Sequence, residues 1–342
     1  MRLRLALAAL TTMTAVATAQ AQQHTVRLGI VKALASTPTF IAIDKGYFKE
    51  YGIKVETAEL DTTALVPLAQ NQLQLVEAGL TVGYFNALEK DFPVLIATDR
   101  AATPVLHKIL IRPDLKDKIK TPADLKGRTI ALNATASVTN YELGKVLESA
   151  GLTLKDIETK ILPFPQMGVG LANKALDAAL VIPPWAFQLV DQGIGAPLVD
   201  IDDYVRPSPI NIAVMFINTD WAKQNPEVAR NFFVAYARGI REYCQAYHNG
   251  PNRQEVIDIA VRTGVERRQE LLYKYPWPAR DPNGRVNVAS LLDIQAWYVK
   301  AGLSQAQFPA ERIVTNAYVD HAVEKLGPFV LDNKDSTLPG CR

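Results

Sequence analysis

The sequence predicts an α/β protein built as two lobes, each a mostly parallel sheet flanked by helices, with a helical carboxy-terminal region. Three observations carry this. Apolar strand-like runs alternate with helix-like runs through the first two thirds of the chain, as expected for parallel strands covered on both faces. A short pattern, residues 27–31 followed by Ala33-Leu34-Ala35-Ser36-Thr37, returns as residues 128–132 followed by Ala134-Thr135-Ala136-Ser137-Val138, with the same Arg-to-Ser spacing. Beyond Asn218 the alternation gives way to nearly continuous helical periodicity.

Taken in order, Val26, Leu28 and Ile30 share one face of a first strand. Pro38 suits the first turn of a helix carrying Phe40, Ile41 and Ile43, and Gly46 interrupts it. A strand near 54–60, a helix at 64–70, a strand at 73–77, a helix at 82–90 and a strand at 94–97 complete the first series. The run 107–112 leads out of this lobe. Thr121-Pro122-Ala123-Asp124 combines a cap, a first-turn proline and an acid near the positive end of the dipole. After the repeated strand come a helix at 140–149 closed by Gly151, a strand near 160–164, a helix at 167–176, a strand at 178–182 and a return crossing at 211–217. Two crossings make a hinge. The first lobe is expected at 24–108 and 214–342, the second at 109–213. In the last region Pro226 starts a long helix holding Val228, Phe232, Phe233, Tyr236, Ile240 and Tyr243. Helices at 255–262 and 288–299 follow, the latter after the turn Asp281-Pro282-Asn283-Gly284. These helices are expected to pack on the first lobe, with their aromatic residues in its core.

Composition narrows the partners. Arg2 and Arg4 precede an apolar stretch at 5–10 and a small-residue tract ending Ala19-Gln20-Ala21, the make-up of a signal peptide at 1–21 cleaved after Ala21. The apolar stretch is far shorter than the roughly twenty residues of a spanning helix, so a soluble protein exported to the periplasm is expected. The formal charge of the 342-residue chain is +2, and removal of the two leader arginines brings the mature side chains to neutrality. With no Lys/Arg run, nucleic acid and acidic membrane surfaces are not expected partners; a small solute is.

Cys244 and Cys341 are the two cysteines, and an oxidising compartment permits them to pair. Sequence leaves that pairing open. Cys244 and His248, four apart, read either as nucleophile and base or as a buried cysteine and a surface histidine. His24, His107, His248 and His321 are scattered, so no metal is expected, and no cofactor. A hydrolase is not expected either: there is no Gly-x-Ser-x-Gly elbow and no base for Ser36 or Ser137.

Each copy of the repeat is a strand passing through small and hydroxyl residues into a helix amino terminus. Free N–H groups and the dipole there favour an anionic or acceptor-rich ligand, and two such ends suit the gripping of one small molecule. The competing explanation is chance recurrence of Ala-x-Ala-Ser in an alanine-rich chain.

Residues 38–53, Pro-Thr-Phe-Ile-Ala-Ile-Asp-Lys-Gly-Tyr-Phe-Lys-Glu-Tyr-Gly-Ile, resemble the opening of the solute-binding proteins of bacterial ABC importers for nitrate, aliphatic sulfonates, taurine and thiamine-precursor pyrimidines. Residues 125–131, Leu-Lys-Gly-Arg-Thr-Ile-Ala, resemble the start of their second lobe, and 235–241 and 281–286 resemble a less characterised branch. The resemblance covers nearly the whole mature chain and implies a two-lobed periplasmic binding protein of type II. Such a protein is a monomer that closes on one solute and delivers it to an inner-membrane ABC permease, with no chemistry on the ligand. Carried over by position, the ligand contacts are Ser36 and Thr37, then Asn133, Thr135, Ser137 and the backbone of Val138, with Thr81 and Thr62 at neighbouring sheet edges. Each hydroxyl has the alternative role of a helix cap.

Relatives that bind amino-pyrimidines carry an acid before a proline where this chain has Ile182-Pro183-Pro184-Trp185. That departure favours an anionic or neutral ligand, a sulfonate or a carboxylate, with a pyrimidine or other heterocyclic vitamin precursor as the alternative. Trp185 is a candidate to stack on the ligand or to face the core. Among Lys32, Arg100, His107 and Arg206 as possible countercharges, Arg206 is the candidate preferred because it precedes the return crossing, with a solvated surface arginine as its alternative reading, and helix ends alone can hold an anion without a full countercharge. The superfamily also includes a pyrimidine-synthesising enzyme, whose cysteine cluster this chain lacks, and a sensor acting through a membrane receptor would use the same ligand chemistry.

Overall fold

A computed structural model describes residues 23–60, 63–305 and 307–342; the expected signal peptide and Thr62 lie outside the described residues. Ten strands are present there: β1 (His24–Ile30), β2 (Ile53–Glu59), β3 (Leu75–Gly79), β4 (Val94–Ala102), β5 (Lys108–Ile111), β6 (Thr129–Leu132), β7 (Glu158–Ile161), β8 (Ala178–Val181), β9 (Ala196–Asp200) and β10 (Asn211–Asn218). They form two five-stranded sheets, in the orders β2-β1-β3-β10-β4 and β7-β6-β8-β5-β9. β1 runs parallel to β2 and β3, and β6 runs parallel to β7 and β8. One strand in each sheet is antiparallel to both neighbours: β10 between β3 and β4, and β5 between β8 and β9. These two are the crossing segments. The chain leaves the first sheet through β5 and returns through β10, so each sheet has the same order around a strand delivered from the other side of the molecule.

Central position explains their composition. All eight residues of β10 are buried, and four of the five in β3, the near-continuous apolar run expected of strands covered on both faces. Within β3, Glu77 is wholly buried, and such a charge requires partners. β4 runs five residues beyond the 94–97 expected from the apolar run. Its extension is polar yet buried, because Thr98 donates to the Gly284 carbonyl and Asp99 accepts from Asn211.

The carboxy-terminal helices differ from expectation at one point. Helix Pro226–Tyr247 packs on helix Thr37–Asp44 of the first lobe, so closely that a Cβ on Gly239 would lie 2.3 Å from the Pro38 carbonyl oxygen. Helix Val288–Lys300, by contrast, reaches both lobes. Its Trp297 sits edge-on to Tyr141 and fills the space where Gly144 of helix Val138–Ser149 lacks a side chain, and Lys300 pairs with Glu148 at 2.9 Å. Its placement follows from shape: a large ring needs a hole, and Gly144 supplies it.

Cys244 and Cys341 are joined in a disulfide. The tail it holds is also tied by Tyr247 to the Pro339 carbonyl, by Asn333 to the His248 carbonyl, and by the Cys341 N–H to the Arg280 carbonyl. His248 is therefore a buried strap residue bonded to Ser336 and to the Gly340 carbonyl, with burial holding its pKa down. Among the described residues no helix is long and apolar enough to cross a membrane.

Candidate functional site

The lobes meet along one edge through main chain. The Val138 N–H donates to the Leu80 carbonyl and the Val82 N–H to the Ala136 carbonyl, both at 2.8 Å, bracketing a bridge between Thr81 and Ser137. Ala136, at φ +51°, takes the left-handed conformation that turns its carbonyl toward the first lobe. Behind this seam lies a cavity of about 60 Å³, room for a few waters or one small solute. Twelve of its twenty lining residues are apolar, among them Val31, Leu80, Phe164, Ile182 and Ile212. Seven are polar: Thr63, Thr81, Arg100, His107, Asn133, Ser137 and Thr139.

Two of the polar residues carry the electrostatics. Arg100 on β4 is 3 % exposed. Its Nε donates to Glu77 at 2.9 Å, and its Nη2 to Ser36 Oγ at 2.8 Å and to the Val31 carbonyl. Glu77 also accepts from Thr39 at 2.6 Å. Nη1 makes no hydrogen bond among the described residues, which leaves one guanidinium edge for the cavity. His107, just before β5, has Nδ1 at 2.9 and 3.1 Å from the two oxygens of Glu142, itself wholly buried. Its Nε2 likewise has no partner there. Beneath Arg100, burial pushes the Asp99 carboxyl up to about 7, against the opposing pull of Arg280, the Asp281 N–H and Asn211.

The residues expected from sequence divide between cavity and wall. Thr81, Asn133 and Ser137 line the cavity. The Asn133 carbonyl oxygen accepts from Thr139 at 2.9 Å and from Ser137 at 3.3 Å, while its amide nitrogen and the Thr81 hydroxyl are uncommitted among the described residues. Ser36 and Thr37 lie behind the wall: Thr37 donates to the Leu34 carbonyl, and Ser36 accepts from the Ala33 N–H and from Arg100. Thr135 is exposed and off the cavity. The Val138 N–H, expected to meet ligand, is spent on Leu80. Trp185 does not reach the cavity but stacks on Phe164, which does.

The expected countercharge needs correcting in the same way. Arg206 is exposed and folds its guanidinium onto the carbonyls of Asp202 and Val205, and Lys32 pairs with Glu59 at 3.0 Å. The cavity cation is Arg100, which lies three residues beyond the apolar strand expected at 94–97, and its partner Glu77 is a lone acid at the end of the strand expected at 73–77. Thr63, Thr139 and Phe164 had no such signal.

A profile of the NMT1-like family matches residues 19–261. This chain belongs to the NMT1-like family. Among curated relatives, the nitrate/nitrite binding protein NrtA of Nostoc sp. is 24 % identical over 254 residues, covering 68 % of this chain and 56 % of that protein. The chain thus spans little more than half of that relative's length. The riboflavin-binding protein RibY of Chloroflexus aurantiacus is 22 % identical, with 87 % of this chain and 86 % of that protein covered. Among solved structures, the alkanesulfonate-binding protein SsuA of Xanthomonas axonopodis superposes with a TM-score of 0.66 at 18 % identity, over 87 % of this NMT1-like chain and 98 % of SsuA. That likeness shows the fold, two α/β lobes of the periplasmic binding protein kind. The three relatives carry three different ligands in their names, so the cavity itself has to argue for this one.

Proposed function

We propose that the protein is the solute-binding component of an ABC importer, working in the periplasm and not as an enzyme, and that its cargo is a small organic anion, a carboxylate or sulfonate with an apolar body. The observation that carries the choice is Arg100: a buried guanidinium with one edge uncommitted, facing an otherwise mostly apolar cavity. Charge-assisted hydrogen bonds from that edge suit an acid head, and Ile182, Ile212, Val31 and Phe164 suit a short aliphatic or aromatic remainder. The cavity volume supports a ligand of this size over one as large as a flavin. The lobes, 24–108 with 214–342 and 109–213, open about the two crossings, admit the anion and close along the Leu80–Val138 seam, and the closed form is what the inner-membrane permease recognises.

The test is calorimetry of the mature protein with alkanesulfonates, aliphatic and aromatic carboxylates, nitrate and riboflavin. Saturable binding confined to organic anions, lost at least a hundredfold in the Glu77→Gln/Arg100→Gln pair that removes both buried charges together, supports the reading. Binding of riboflavin alone, or affinity for anions unchanged in the double variant, overturns it.

A further inference from the structure

Resting on that reading, we propose that capture of the anion is proton-coupled through His107: as the acid head enters, His107 Nε2 takes a proton from solvent and keeps it, and the new N–H donates a hydrogen bond to the ligand opposite Arg100. The two donors come from opposite sides of the cleft, Arg100 from the first sheet and His107 from the entry to the second, so the acid head is clamped between them.

Glu142 is wholly buried, and among the described residues its one hydrogen-bonding partner is His107, through Nδ1. A buried carboxylate there holds the Nδ1 proton in place, which fixes the tautomer and turns Nε2 to the cavity. The charges on the walls are then Glu77 and Arg100, which cancel, and Glu142. With a neutral imidazole the site is one unit negative before an anion arrives and two after it. With an imidazolium it is neutral before and one unit negative after. At low effective dielectric that difference favours the protonated state once the anion is bound. The balance is one N–H bond formed at Nε2 for each anion captured, the proton leaving a buffer acid.

The other charged and titratable groups around His107 are hydrogen-bonded or paired, except Tyr298, whose buried hydroxyl has no partner among the described residues. Tyr141, on the same helix as Glu142, donates to Asp293 at 2.8 Å. Tyr298 of helix Val288–Lys300 is buried, and burial with the Glu142 charge keeps its phenol protonated. Asp202 accepts from the Val105 and Leu106 N–H groups at 2.8 Å, Lys108 pairs with Asp200, and Arg100 pairs with Glu77, while Asp99, bonded to Asn211 and the Asp281 N–H, and Arg280, bonded to the Ala35 carbonyl, do not line the cavity. His107 is thus the group in this shell with both a titrating atom and access to the cavity.

Two probes, benzoate and propane-1-sulfonate, are titrated into the mature protein from pH 6 to 8.5, each in buffers of different ionisation enthalpy. The expected result is uptake approaching one proton per bound anion toward the alkaline end, and affinity falling by up to about tenfold per pH unit there. In His107→Gln/Glu142→Gln, which replaces the ion pair by a hydrogen-bonded amide pair and leaves no buried charge behind, both uptake and slope vanish while binding at a fixed pH persists more weakly. Binding without proton uptake, or uptake that survives in the double variant, overturns this proposal and leaves the anion receptor standing. Failure of both probes to bind at any pH overturns the receptor reading and this proposal with it.

Discussion

The two strand-to-helix turns share a sequence pattern and do opposite work. In the first, Ser36 and Thr37 point into the protein; Ser36 braces Arg100 and Thr37 closes its own turn. In the second, Ser137 and Asn133 face the cavity, and the helix that follows lends its first N–H to the opposite lobe. The difference follows from what lies next to each turn. The first abuts β3 and β4, where Glu77 and Arg100 need acceptors and donors to stay buried. The second abuts the cleft and, through main chain alone, the Leu80–Val82 edge of the other lobe. Equal spacing makes equal turns, but the neighbouring elements decide whether a turn's hydroxyl braces a buried charge or faces the cavity.

Breaking the support behind the first turn has the largest expected effect. Arg100→Gln strands Glu77 as an uncompensated buried charge, and a loss of about 3–5 kcal/mol in denaturant unfolding is expected. A smaller loss would mean that Thr39 alone satisfies Glu77. The helices after the two turns offer a second contrast, because each is packed through a glycine. Gly239→Ala drives a Cβ against the Pro38 carbonyl, a backbone atom, and is expected near the top of the about 1–3 kcal/mol range for overpacking. The nearest atoms to a Cβ in Gly144→Ala belong to the Trp297 ring, a side chain that can shift, so the expected outcome is a lower cost to folding, a shift in tryptophan fluorescence and weaker ligand binding as the lobes part. Equal melting points for the two variants would erase the distinction.

The serines sharpen the comparison directly. Ser36→Ala removes one of the two acceptors of a buried guanidinium nitrogen, the Val31 carbonyl remaining, and is expected to cost about 1–2 kcal/mol. Ser137→Ala leaves Thr139 bonded to Asn133 and is expected to cost under about 1 kcal/mol while lowering ligand affinity severalfold; melting curves and calorimetry on the pair separate a bracing hydroxyl from a ligand-facing one. A separate effect is on pH dependence. Asp99 has its folded-state pKa raised to about 7, so the folded protein holds an extra proton between the ordinary carboxyl range and neutrality. Stability therefore falls as pH rises from about 4 to about 7 and levels off above. Asp99→Asn is expected to flatten that stretch of a melting-temperature profile, and an unchanged slope would place the titration elsewhere.

Much of this architecture was legible in the chain. Val26-Leu28-Ile30, the apolar runs of β8 and β10 and the proline starts at Pro38 and Pro226 announce strands and helices by periodicity alone, and the return crossing at 211–217 falls on β10. The site was legible in part. Ser137, Asn133 and Thr81 stand where the repeat and the sheet-edge pattern put them. Arg100 was obscured because Thr98, Asp99 and Arg100 read as the polar end of a strand, whereas tertiary partners keep all three buried. Arg206 had the position of a cleft residue but found nearer acceptors in its own loop. Trp185 had the right chemistry and lies one ring too far back, behind Phe164.

By itself, then, the order of residues determined the two α/β lobes, their exchanged strands and the helical carboxy terminus, because hydrophobic periodicity and turn chemistry act between near neighbours. Only the tertiary structure decided which polar groups meet in the cleft. Glu77 with Arg100, His107 with Glu142 and Leu80 with Val138 are far apart in sequence, and whether a hydroxyl, a guanidinium or a helix N–H is left for a ligand depends on whether a distant part of the chain has already taken it.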